Sequence, residues 1–224
     1  MKSSRLSNKN LESSIRALQS YKHTPEFNHL RTGIHSRGYL PHHKKDGVSY
    51  FITFRLADTL PQSFIKQMKI QQLNLDRPSE IKRVHRERFK TIEEHLDKSY
   101  GTCWLKDPRI ASTVQSALLH FNHVRYVLNA WVVMPNHVHV VLHPIGNNLL
   151  NKILHSLKGY SARESNRILD REGKPFWQRE SFDHWIRDET EKQKCIQYTI
   201  MNPVKACLCK KPEEWLWSSA YQKK

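Results

Sequence analysis

At 224 residues the chain is long enough for one sizeable core with appendages. Its 37 lysines and arginines against 21 aspartates and glutamates give a formal charge of +16, which calls for a polyanionic partner and puts nucleic acid ahead of an anionic membrane surface. No apolar stretch approaches a spanning helix, MKSSRLSNKNLESS lacks a signal core, no lipidation box follows SSAYQKK, and four cysteines are too few for a disulfide scaffold; a soluble, cytoplasmic protein is expected.

Residues 1–35 are polar and basic without a sustained period and read as a flexible arm, which leaves 36–224 as a single domain. SYFITFRLAD, Ser49 to Asp58, sets Tyr50, Ile52 and Phe54 on one face and predicts a strand closed by Pro61. The charged, helix-favouring sequence from Gln62 to Tyr100 predicts two helices. A third starts near Asp107, where Ile110, Val114, Ala117, Leu118 and Phe121 recur at helical spacing, so a helical insertion covers about 62–122. His123 to Met134 is a second strand, Pro135-Asn136 a turn, and HVHVVLHP a third strand antiparallel to the second. Leu150, Ile153, Leu154, Leu157, Tyr160 and Ile168 then mark an amphipathic helix with Lys152, Lys158, Arg163 and Arg167 around it. Gly173-Lys174-Pro175 breaks that helix, FWQRESFDHWI is a short extended segment or strand pair, and a last helix runs from Asp188 until Pro203 ends it. This order predicts an α+β fold, an antiparallel sheet with helices on one face.

The chemistry concentrates in WVVMPNHVHVVLHP, Trp131 to Pro144. Strand alternation puts His137, His139, Val141 and His143 on one face and Val138, Val140 and Leu142 on the other. Same-face neighbours lie about 6.6 Å apart along a strand, a gap that two imidazoles span by leaning toward one cation. On the last helix Tyr198 and Asn202, four apart, project from one surface. Asn202 offers a neutral oxygen beside His137 and His139, a mixed set suited to magnesium or manganese in phosphate chemistry, and Tyr198 is the nucleophile candidate with Tyr160 behind it. Cys207-Leu-Cys209, with no second cysteine pair, is a weak zinc signal. Lys158, Arg163, Arg179 and Arg187 are candidates for backbone phosphates, and Trp177 is either a platform for stacking an unpaired base or a core residue.

From Arg37 to Tyr221 the chain resembles the REP-associated tyrosine transposases, a branch of the single-tyrosine HUH transposases of the IS200 type. The resemblance rests on RGYLPH, YFITFRLADTLP, CWLKDPRIA, AWVVMPNHVHVVLHP, SLKGYSARESNRIL, FWQRESFDHWIRDE, QYTIMNPVKACL and EWLWSSA, in that order. It implies a ferredoxin-like palm and a metal-dependent cut in single-stranded DNA at small palindromic hairpins. It also implies His137, His139 and Asn202 as ligands of Mg2+ or Mn2+, and Tyr198 as the residue that takes the 5′ phosphate. Cys207 stands where relatives commonly carry glycine, a departure that bears only on the exit from the last helix. Two other readings stay open: an HUH replication initiator or relaxase, which the lack of a helicase-like phosphate loop disfavours, and a domesticated, non-catalytic binder of hairpin DNA. Self-association is left open.

Overall fold

The computed structural model describes residues 33–36, 41–44, 47–73 and 78–223. The expected arm lies outside the described residues as far as residue 32; Gly33–Ser36 (β1) already pairs with Pro41–Lys44 (β2) as an antiparallel hairpin. Side chains of the RGYLPH stretch also lie outside the described residues.

A four-stranded sheet follows, built from β3 (Tyr50–Arg55), β4 (Tyr126–Val133), β5 (His137–Pro144) and β6 (Phe182–Trp185) in the order β4-β5-β3-β6. Every neighbouring pair is antiparallel. Two helices cross between its strands, α3 (Pro108–His120) after β3 and α4 (Leu150–Ile168) after β5. The succession β3-α3-β4-β5-α4-β6 with the first strand inside the sheet is the ferredoxin-like palm, and the fold is α+β. Asp107 starts α3 as an N-cap accepting from the Arg109 N–H, with Pro108 in the first turn.

Alternation along the strands decides which face each helix covers. Ile52 and Phe54 of β3 and Val138, Val140 and Leu142 of β5 point toward Ile110, Val114 and Leu118 of α3 and Ile153 and Leu157 of α4, in one continuous apolar cluster. That is the expected helical layer. The opposite face also has cover. A final helix, α5 (Glu189–Lys205), contacts β4 and β5 there, and Phe89 of α2 (Pro78–Asp97) joins Phe51, Ala130, Val141 and Ile186. Of the insertion expected over 62–122, α3 is thus the palm's own crossover helix. The added pair is α1 (Gln62–Leu73) with α2, packed through Ile65, Met68, Ile92 and Leu96.

One local expectation is corrected and one open alternative is decided. Pro203 does not end the last helix, which continues to Lys205. A proline removes one N–H, and so near the C-terminal end it forfeits a single bond; chain reversal comes at Cys207, whose φ of 56° is left-handed. Of the two expectations for FWQRESFDHWI, the extended segment holds: it forms one strand, β6, with an isolated bridge between Leu56 and Trp177. The C-terminal EWLWSSA covers the outer edge of β4: the Val133 N–H donates to the Trp217 carbonyl at 2.8 Å, and the Ser219 N–H to that of Trp131 at 2.9 Å.

Candidate active site

The second face of the sheet is polar at its centre. Thr53 lies opposite His139 and Arg55 opposite His137 across the β3–β5 pair. Both imidazoles are fully buried. Each uses Nδ1 on a neighbour: His137 on Asn136 Oδ1 at 2.7 Å, and His139 on Thr53 Oγ1 at 2.8 Å. The Asn136 amide is itself fixed, its Nδ2 donating to the Tyr100 carbonyl at 3.0 Å, so its oxygen faces His137 and the His137 proton belongs on Nδ1. The two Nε2 atoms meet at 3.0 Å. Burial presses His137 down to about 3 and His139 well below the ordinary histidine range, so both are neutral ligand-type imidazoles. This is how histidines are oriented where they bind metals, with the outer nitrogen held and the inner one free.

Two helices close over the pair. From α5, Tyr198 packs edge-on against His139, ring centroids 5.5 Å apart at 75°, and Phe51 stacks on His139 at 5.6 Å while also meeting the Tyr198 ring at 5.7 Å. Asn202, one turn on, is 1% exposed and adjoins both His137 and Tyr198, yet neither its Oδ1 nor its Nδ2 completes a well-formed hydrogen bond. A buried amide without partners costs about 1–3 kcal/mol, and a cation near His137 would use its oxygen. From α2 comes a residue the sequence reading missed: Glu93, 4% exposed, with Oε2 at 3.3 Å from His139 Nε2. The Tyr198 hydroxyl donates to the same oxygen. Burial raises Glu93 to about 8 and raises the Tyr198 phenol far above the ordinary tyrosine range, with the Glu93 charge adding to the latter. Glu93, His137 and His139 offer ligand atoms all within 4.8 Å of one another. The residues present fit a divalent cation.

The structure therefore brings His137, His139, Tyr198 and Asn202 together. Asn202 is buried. Tyr160, the second nucleophile candidate, is 46% exposed on α4, whose apolar side packs on the opposite face of the sheet. A signal for Glu93 did exist. Phe89, Ile92, Glu93 and Leu96 follow the i, i+3, i+4, i+7 spacing of one helix face, so the glutamate lies on the apolar stripe of α2.

The DNA-contact candidates separate. Trp177 is corrected: it is buried against Phe54 and Phe176, and its indole N–H donates to Ser161 Oγ at 3.0 Å, so no ring face is open for a base. An indole N–H with a satisfied partner is a core group. Lys158 is mostly spent inside the protein, its Nζ donating to the Gln178 and Arg179 carbonyls and to Ser181 Oγ at 2.8, 3.1 and 3.0 Å. Arg187 is exposed and forks onto Glu191, while Arg163 and Arg179 are exposed.

A ferredoxin-like palm with a His-x-His pair on an inner strand and a tyrosine over it sets the class of protein to which the chain is compared. Residues 104–199 match the family described as "Transposase IS200 like". The IS200-type resemblance read from the motifs is borne out over that segment, which holds both histidines and Tyr198. Among solved structures the chain is similar to a REP-associated tyrosine transposase bound to a REP hairpin, at 19% identity and a TM-score of 0.47, over 83% of this chain and 81% of that one. No curated protein matches the sequence. Among the described residues no helix is long and apolar enough to cross a membrane.

Proposed function

We propose that the chain is a metal-dependent single-stranded DNA endonuclease and strand transferase that acts at hairpin DNA through a 5′-phosphotyrosine on Tyr198. The observation that carries the reading is the contact of the Tyr198 ring with His139, whose Nε2 converges with that of His137. His137, His139 and Asn202 would hold Mg2+ or Mn2+, which when bound draws charge from a phosphodiester and stabilises its pentacovalent transition state. The residues do the rest. Asn136 and Thr53 fix the imidazoles, and Phe51 packs against both His139 and Tyr198, so the phenol and the ligand nitrogens keep one geometry.

In the proposed step the Tyr198 Oη–P bond forms as the P–O3′ bond breaks. The phenolic proton is lost, and the departing 3′ oxygen takes up a proton as a 3′-OH. A phenol leaves more readily than an alkoxide, so a later 3′-OH reverses the step and rejoins a strand without an outside energy source. The tyrosine lies on a separate helix from the strand-borne histidines, which favours a flexible single strand over a stacked duplex. The excess of basic residues suits the phosphate backbone and predicts binding that weakens steeply with salt.

The test is to incubate the full chain with a labelled single-stranded hairpin and Mg2+ or Mn2+. A covalent protein–DNA band with a blocked 5′ end and an extendable 3′ end is expected. A mobility shift with no such band under any condition would make the chain a hairpin binder, and efficient cutting of fully paired duplex would refute the single-strand reading.

A further inference from the structure

The α1–α2 pair lies outside the βαββαβ succession of the palm, yet α2 reaches its centre. The carboxyl group it delivers is almost entirely buried, and one of its oxygens, Oε1, has no hydrogen-bond partner. Buried carboxylates are paired with cations or coordinate metals, because an ionised group removed from water without compensation is costly. The neighbours here are two imidazoles whose inner nitrogens converge at 3.0 Å and a phenol that donates to Oε2.

The separations fit a coordination sphere. Donors about 2.1 Å from one ion lie about 3.0 Å apart when cis in an octahedron and about 3.4 Å apart in a tetrahedron. The observed edges are 3.0 Å between the two Nε2 atoms and 3.3 Å between His139 Nε2 and Glu93 Oε2. Asn202 adjoins His137 with unsatisfied amide atoms and offers a neutral oxygen.

We propose that the added helix pair completes the metal centre: Glu93 is a direct protein ligand of the cation held by His137 and His139, with Asn202 as the weaker, neutral member of the set. This deepens the reading of the site given above and rests on it only for the presence of a cation. Two nitrogens, a carboxylate and an amide oxygen make a harder, anionic site than the histidines and Asn202 alone, one suited to Mn2+ or Mg2+ with positions left for a phosphate. The same carboxylate holds the Tyr198 hydroxyl, so ligand and nucleophile share one anchor.

Mn2+ alone is the probe. Its binding to the full chain is followed by electron paramagnetic resonance and calorimetry, without DNA, for the wild type and for Glu93→Gln, Asn202→Ala, His139→Ala and Tyr198→Phe. Glu93→Gln is expected to weaken Mn2+ at least about tenfold while still melting cooperatively. Asn202→Ala should weaken it less, and Tyr198→Phe should stay within about twofold of wild type. Glu93→Gln within twofold of wild type, with His139→Ala abolishing binding, would overturn the assignment. Wild-type crystals soaked in Mn2+ remove any dependence on how the variants fold. An anomalous peak within about 2.3 Å of a Glu93 oxygen supports the proposal, and a peak bonded to the histidines without Glu93 defeats it. The covalent-adduct assay separates the two readings: an adduct with a cation site lacking Glu93 sinks only this inference, whereas Glu93-dependent Mn2+ binding with no adduct sinks only the strand-transfer reading.

Discussion

The two faces of the sheet use the same strands for opposite ends. On the side of α3 and α4, Ile52, Phe54, Val138, Val140 and Leu142 belong to one apolar cluster, and each is fully buried. On the side of α2 and α5 the alternate residues of those strands, Thr53, Arg55, His137 and His139, are equally buried but polar, and beside them Glu93 Oε1 and both amide atoms of Asn202 lack hydrogen bonds. One face stabilises the palm. The other accepts buried polar groups that cost stability, a sign that it is arranged for chemistry. Strand period makes the division possible, since a step of one residue crosses from one role to the other.

The largest expected effect would break the link between stability and chemistry on the second face. Tyr198→Phe removes one oxygen and little contact area, so covalent adduct formation should vanish while hairpin affinity stays nearly unchanged and stability shifts by no more than about 1.5 kcal/mol. Gel analysis of the adduct beside denaturant unfolding checks both halves. Residual cleavage would move the nucleophile elsewhere. On the first face the pattern should invert. Leu142→Ala, three residues from His139 on the same strand, should cost about 2–5 kcal/mol in urea unfolding and leave the Mn2+ affinity of the remaining folded protein intact. A Leu142→Ala protein that keeps its stability and loses metal would erase the division between faces.

The sequence makes one face far easier to read than the other. Apolar alternation in β3 and β5 and the helical stripes of α3 and α4 signal the core directly, because burial of apolar area is a summed property of many residues. His137 and His139 stand out by interrupting an apolar run, and Tyr198 and Asn202 by their four-residue spacing. Glu93 was hidden because a charged helix reads as solvated; its membership of the apolar stripe shows only once Phe89, Ile92 and Leu96 are known to be buried or packed inward. Trp177 misled for the converse reason. An aromatic between a helix-breaking Gly-Lys-Pro and a short strand looks exposed, and nothing local announces that Ser161, 16 residues earlier on α4, accepts from its indole N–H.

Glu93 also measures the cost of the polar face. Its carboxyl group is raised to about 8 in the folded chain from an ordinary 4.5 or so. A group raised on folding contributes its stability fully below the unfolded value and loses it as pH climbs through the folded one; here that window runs from about 4.5 to about 8. In the presence of a chelator, Glu93→Gln should therefore melt close to wild type near pH 4.5 and gain on the order of a few kcal/mol by pH 8. Thermal melts across this range check it. A stabilisation equal at both ends would mean that the carboxyl group is ionised throughout and compensated by neighbours. With saturating Mn2+ at pH 8 the order should reverse, since wild type alone keeps the carboxylate ligand.

The smallest expected effect compares the exits of one helix from each face, α4 and α5. Both end the same way: after α4 the Arg171 N–H donates to the Asn166 carbonyl at 2.8 Å and Asp170 N–H to Arg167 at 3.4 Å, and after α5 the Leu208 N–H donates to Pro203 at 2.9 Å and Cys207 N–H to Val204 at 3.0 Å. This paired pattern needs a left-handed residue, and neither helix uses glycine there; φ is 51° at Asp170 and 56° at Cys207. For an ordinary side chain that conformation costs about 1–2 kcal/mol, but aspartate visits it several-fold more readily than most residues. A glycine would relieve the strain and return part of the gain as unfolded-chain entropy, about 0.5–1 kcal/mol. The Cys207 side chain is exposed and its thiol contacts the Lys205 carbonyl weakly, at 3.9 Å, so its removal sacrifices little. Cys207→Gly should accordingly stabilise by about 0.5–1 kcal/mol in denaturant unfolding, and Asp170→Gly by no more than about 0.3 kcal/mol. Equal gains at both positions, or a loss at Cys207, would show that the exit behind Tyr198 and Asn202 carries no more strain than the exit on the structural face.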